Sequence, residues 1–174
     1  MTISRVWRVN MLIGTAHFLS HFYVLCLPPL FVVWKSAFDV SYAQLGLTMA
    51  CMSATAGILQ TPMGFLVDRY GARRFLIGGT LLMSLAITGM GFATEYWQLV
   101  ALAMLSGAGN SVIHPADYAI LSGSIPKERM GKSFAFHSIN GNIGFAVAPP
   151  IMALLIVTFG WRSAAIIEIG RAHV

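Results

Sequence analysis

The sequence predicts an all-α protein that crosses a lipid bilayer several times, and three observations carry this expectation. Of the 174 residues, 57% are apolar and only 10% are charged, whereas a soluble domain carries about 25% charged residues. The apolar residues are gathered into long uncharged runs, and a backbone at hydrocarbon depth must satisfy its own hydrogen bonds, which for a single run means a helix. The remaining charges lie in short connections, with 11 basic residues against 6 acidic ones. A net charge of +5 divided among short loops is a topology signal rather than a nucleic-acid surface, so no nucleic-acid partner is expected.

Val9 to Trp34 makes the first span, about 26 residues, enough to cross about 30 Å of hydrocarbon with tilt. Arg5 and Arg8 precede a run too long for a signal peptide, and Pro28 and Pro29 form no small-residue cleavage site, so this segment is expected to remain. Lys35 to Tyr42 returns outside. The second span runs from Ala43 to Leu66 with Pro62 near its inner end. Between Gly64 and Arg74 lie a glycine turn, one acid and three arginines, which belong in water. Phe75 to Ala93 is the third span and carries neither an ionisable side chain nor an amide, which suits a lipid-facing helix. Tyr96 and Trp97 mark an interface before the fourth span, Gln98 to Leu121, the most polar of the set. Ser122 to Gly131 is the second basic loop, with Lys127, Glu128 and Arg129, and Lys132 to Phe159 is the fifth span.

A sixth span begins as a stub, Ser163 to Ile167, so residues 1–167 read as one membrane bundle. Glu168 to Val174 reads as the translation of a common sequencing adapter and is set outside the fold. This threading places Arg5, Arg8, Arg69, Arg73, Arg74, Lys127, Arg129 and Lys132 on one side and Lys35 and Arg162 on the other, eight against two. Basic residues accumulate in cytoplasmic loops, so the amino terminus and the loops at Asp68 and Lys127 are expected in the cytoplasm of a plasma or bacterial inner membrane.

Polar and small residues recur on single helical faces. In the first span Asn10, Gly14, His17 and His21 stand at i, i+4, i+7 and i+11; in the fourth, Asn110, His114 and Asp117 at i, i+4 and i+7. In the fifth, His137, Asn140 or Gly141, Gly144 and Ala148 repeat the pattern. Ionisable groups within a span normally face a cavity or the bundle interior. At 1.5 Å per residue His17, His114, Asp117 and His137 lie roughly 6 to 12 Å from the inner ends of their spans, at comparable depth. The i, i+3 spacing lets His114 and Asp117 approach each other, which makes them candidates for proton coupling or substrate binding. His17 and His137 are their expected cavity neighbours, with Asn110, Asn140 and His21 on the same faces. Pro115 cannot donate to the Ser111 carbonyl and allows a kink beside His114.

The loop Gly64-Phe-Leu-Val-Asp68-Arg69-Tyr-Gly71-Ala-Arg73-Arg74 resembles the signature G-x-x-x-D-R-x-G-R-R between the second and third helices of the major facilitator superfamily. Ala72 stands where that family more often has a basic residue. The resemblance implies the amino-terminal six-helix half of a major facilitator fold, truncated at the start of the sixth helix. Helices 1, 2, 4 and 5 would surround a cavity, with 3 and 6 outside. It also implies a cytoplasmic latch, in which Gly64 allows close helix approach, Gly71 makes the tight turn, and Asp68 together with Arg69 and Arg73 fastens the cytoplasmic side, Arg74 completing the motif. Gly144, Ala148 and Pro149 resemble the helix-packing motif G-x-x-x-G-P of antiporters in this family, with Ala148 in place of the second glycine. Ala103 stands where many relatives have a cavity arginine. The run from Ser111 to Pro115 with Gly141 to Pro149 resembles the fosmidomycin-resistance-like branch.

The expected function is secondary active transport of a small molecule, proton-coupled, by a protein whose carboxy-terminal half is absent. Its partners are membrane lipid, the substrate, protons and that missing half. A receptor or assembly factor on the same fold is the alternative. A membrane haem protein would need His114 and His137 as paired ligands. Cys26 and Cys51 lie in apolar runs, there is no H-E-x-x-H, and no cofactor, metal or enzymatic nucleophile is assigned.

Overall fold

A computed structural model of the chain describes residues 3–170, with side chains described for residues 5–167. Side chains of the tail at 168–174 lie outside the described residues. The described residues form eight helices: α1 (Ile3–Leu25), α2 (Leu27–Ala37), α3 (Tyr42–Tyr70), α4 (Ala72–Met90), α5 (Tyr96–Asn110), α6 (Ile113–Ser124), α7 (Lys127–Phe159) and α8 (Trp161–Gly170). No strand occurs among the described residues.

Two breaks divide what the hydrophobic pattern reads as single spans. Pro28 and Pro29 enter at the first turn of α2, where missing N–H groups cost little, and the preceding Cys26 separates α1 from α2. Ser111 and Val112 separate α5 from α6 just before Pro115, the kink expected from the sequence. Pro62 in α3 and the pair Pro149 and Pro150 in α7 leave their helices continuous. Among the described residues four runs are long and apolar enough to cross a membrane: Arg5–Ala37, Tyr42–Tyr70, Tyr96–Ser124 and Lys127–Phe159. The 19 residues of α4 start with Arg73 and Arg74, which dilute its hydropathy, yet they make a rod of about 28 Å, close to the hydrocarbon thickness.

Local chemistry fixes the ends of these rods. Ser41 and Gln44 form a reciprocal capping box at the start of α3, with Gln44 N donating to Ser41 Oγ at 3.2 Å and Ser41 N to Gln44 Oε1 at 2.9 Å. Gly71 joins α3 to α4 at φ +99°, a conformation glycine adopts without the Cβ penalty. At the far end Arg162 donates to the carbonyls of Gly91 and Ala93 at 3.0 and 2.8 Å, tying α8 to the end of α4.

The most extensive packing is α1 against α7, followed by α4 and α3 against α5. Small residues set these distances. The buried face of α7 is Ser133, His137, Gly141, Gly144, Ala148 and Met152, which contains the expected His137, Gly141, Gly144 and Ala148 and extends one turn beyond them at each end. A Cβ at Gly144 would strike the Phe18 carbonyl of α1. In α5, a Cβ at Gly107 would strike the Met52 carbonyl of α3, and one at Gly109 would lie 2.7 Å from the Gly79 carbonyl of α4. The face of α4 holding Leu76, Gly79, Met83, Ile87 and Met90 is buried, while Ile77, Leu81 and Leu85 point outward.

Candidate functional site

Five of the polar residues singled out in the sequence meet between α1, α6 and α7. His17 and His21 lie one turn apart on α1, His114 and Asp117 are on α6, and His137 is on α7. His17, His137 and Asp117 are buried at 4%, 2% and 0% exposure, while His21 and His114 are half-buried. Gly141 opens the space for them: a Cβ there would lie 2.6 Å from His17 Cε1 and 2.9 Å from His21 Cε1.

The connections differ from those the linear spacing implied. Asp117 pairs with His137 of α7, whose Nε2–H donates to Oδ2 at 2.9 Å, and not with His114 in its own helix. The i, i+3 relation brings two side chains to one face, but tertiary packing decides which partner reaches the carboxylate first. This is the one ion pair among the described residues. His17 donates Nδ1–H to the His137 backbone carbonyl at 2.9 Å, and its ring stacks on that of His137 at 3.6 Å and 9°. Asp117, His137 and His17 thus form a connected polar chain across three helices. His114 turns instead toward α1, with ring centroids 5.2 Å from His17 and 6.1 Å from His21. Phe145 stacks on His21 at 4.1 Å.

Other expected site residues lie apart from this group. Asn140 donates to the Phe136 carbonyl of its own helix at 2.8 Å and sits against Gly14 in the α1–α7 seam. Asn110 is half-buried at the end of α5. Asn10 lines an open pocket of about 320 Å³ with Trp7, Glu128, Arg129, Lys132 and Ser133 at the start of α1 and α7. The haem alternative meets a geometric obstacle, because His137 is stacked on one side and its Nε2 is engaged by Asp117.

The latch loop is also placed. Asp68, Arg69, Arg73 and Arg74 are exposed, and Arg69 lies over the Tyr70 ring at 5.4 Å. No ion pair joins Asp68 to Arg69 or Arg73 among the described residues. A Cβ on Gly64 would meet Pro115 at 4.0 Å, an ordinary contact, whereas α3 meets α5 closely at Gly107 and α4 meets α5 closely at Gly109. Sequence reasoning passed over those two glycines as packing sites, although their placement beside small residues was visible. It also passed over Arg162 as a helix tie and Phe145 as a ring support.

A family model described as Major Facilitator Superfamily matches residues 13–170. Among similar proteins, the phosphoglycerate transporter protein of Salmonella typhimurium is 27% identical over 136 residues, covering 76% of this chain and 29% of the relative. The probable L-galactonate transporter of Escherichia coli is 29% identical over 128 residues, covering 74% and 28%. The MFS-type transporter YfnC of Bacillus subtilis is 24% identical over 155 residues, covering 89% and 38%. The chain therefore spans between 28% and 38% of the length of these relatives. The fosmidomycin-resistance-like branch remains an expectation from the motif runs alone.

Proposed function

The chain belongs to the major facilitator superfamily and is an all-α, multi-pass membrane protein, and we propose that it supplies one half of a proton-coupled secondary transporter of a small molecule. The observation that carries the coupling is the buried pair of Asp117 and His137, 2.9 Å apart inside a membrane bundle. A charged group at mid-membrane costs at least about 2.5 kcal/mol, so such pairs mark proton or substrate pathways. Imidazole is the side chain whose ordinary titration range lies nearest neutral pH. The hydrogen-bonded pair Asp117–His137 offers two adjacent sites for a proton, with the His17 ring stacked on His137 and His114 and His21 half-buried beside it.

Transport by rocking of two repeats needs a second bundle facing this one. The basic loops at Asp68 and Lys127 would face the cytoplasm together with the amino terminus, in a cell membrane. The exposed Asp68 and Arg73 would then fasten to that second bundle. Relatives named for phosphoglycerate and L-galactonate make these two compounds the first substrates to try.

The test is flux against external pH in the complete transporter containing these residues, with Asp117→Asn, His137→Gln and His114→Ala compared at equal expression. The expected outcome is a flattened rate–pH profile in Asp117→Asn and His137→Gln. Unchanged rates, affinities and pH profiles in all three variants would remove the coupling role.

A further inference from the structure

We propose that His17, His21 and His114 form a binding site for a transition-metal dication of the Zn2+ class. Each ring offers one nitrogen, and these atoms all lie within 4.8 Å of one another. His17 Nε2, His21 Nδ1 and His114 Nδ1 are buried without a hydrogen-bond partner. Buried polar atoms are almost always partnered, so three orphans in one cluster call for an occupant that all three can share. His17 is only 4% exposed, and its second nitrogen is already committed.

That commitment is informative. Because His17 Nδ1–H donates to the His137 carbonyl at 2.9 Å, the neutral ring carries its lone pair on Nε2. A metal-ligating histidine characteristically donates its other N–H to a carbonyl or carboxylate, which fixes the tautomer and the ring plane. Asp117 holds His137 in turn, and the Phe145 ring stacked at 4.1 Å limits the orientations open to His21. The donor set selects the class of ion. Three neutral imidazoles suit Zn2+, Co2+, Ni2+ or Cu2+, whereas Mg2+ and Ca2+ prefer oxygen ligands. Tetrahedral Zn–N bonds of about 2.0 to 2.1 Å place nitrogens about 3.4 Å apart. From a separation of at most 4.8 Å, ring rotations need to close about 1.4 Å. Three protein ligands leave a fourth position for water or another donor. The site does not depend on whether the chain transports anything.

The experiment is a Co2+ titration of the tag-free 174-residue chain in detergent, read by the visible d–d bands of tetrahedral Co2+ and by the thermal midpoint. We expect bands saturating at one Co2+ per chain, their loss on adding Zn2+, and a midpoint that rises with metal. His21→Ala and His114→Ala should each weaken binding at least 10- to 100-fold, the range typical even for removing an outer-shell partner. Cu2+ electron paramagnetic resonance on the unaltered chain supplies a readout independent of variant folding, with coupling to three imidazole nitrogens expected. Absence of Co2+ bands and of any midpoint rise would overturn the site. Undiminished binding in folded His21→Ala and His114→Ala chains, or coupling to one imidazole or none, would overturn it equally.

Discussion

Replacing Gly141 with alanine probes the space on which the histidine group depends. The new methyl would lie 2.6 Å from His17 Cε1, 2.8 Å from His17 Nδ1 and 2.9 Å from His21 Cε1, against about 3.5 Å for an unstrained contact. His17 has no free retreat, because its Nδ1 is tied to the His137 carbonyl and its ring is stacked on His137 at 3.6 Å. That hydrogen bond breaks as α1 and α7 are pushed apart. Overpacking of this kind costs about 1 to 3 kcal/mol, and loss of the hydrogen bond about 1 kcal/mol more. The better helix propensity of alanine returns about 1 kcal/mol, leaving a net loss of about 1 to 3 kcal/mol. For a chain of this size that corresponds to a midpoint lower by about 2 to 12 °C. Gly131 lies in the same helix with nothing within 4 Å of its added Cβ. Gly131→Ala should therefore leave stability unchanged or raise it by up to about 1 kcal/mol, with the midpoint held or raised accordingly. Thermal unfolding in detergent, followed by tryptophan fluorescence, compares the two. A Gly141→Ala midpoint equal to or above that of Gly131→Ala would refute the packing argument.

Two further outcomes concern the loop between α3 and α4. A cysteine at Ala72, in a background lacking Cys26 and Cys51, should resist impermeant thiol reagents in intact cells and react after permeabilisation; labelling from outside would reverse the orientation. Asp68→Asn should leave the thermal midpoint of the 174-residue chain nearly unchanged, within about 0.5 kcal/mol, because Asp68 is exposed and unpaired among the described residues. The same substitution should lower flux in the complete transporter, and normal flux there would mean that the acid is no part of a latch.

Much of the architecture was legible because lipid leaves the backbone few options. Apolar runs between charged loops locate most of the rods, and Pro115 points to the break just before it. The stripe from His137 to Ala148 was readable as a face because its small residues recur at helical spacing, whereas its continuation to Ser133 and Met152 was not. Pairing within the site was less legible. A periodicity says that His114 and Asp117 share a face, but the partner of Asp117 is set by how α6 and α7 are rotated about their axes, a quantity distributed over every contact between them. The interruption at Cys26 was also hidden, since proline near a helix start and proline inside a helix look alike in a hydrophobic run. Pro149 and Pro150 illustrate the opposite case, lying within an unbroken α7.

The crossing of α5 has a consequence for how the sequence can change over time. Gly107 meets the backbone of α3 and Gly109 meets that of α4, and two residues turn a helix by about 200°, so the contacts lie on opposite sides of one rod. At each contact the opposing atoms include backbone, which no exchange of a neighbouring side chain can trim. Compensation by a second point substitution is therefore closed at both places, and larger residues are expected to be lost from a library at Gly107 and Gly109 alike. Divergence that moves this rod has to proceed by shifting whole helices, through altered loop lengths or rotated faces, leaving side-chain drift to the outward positions such as Met104 and Leu105.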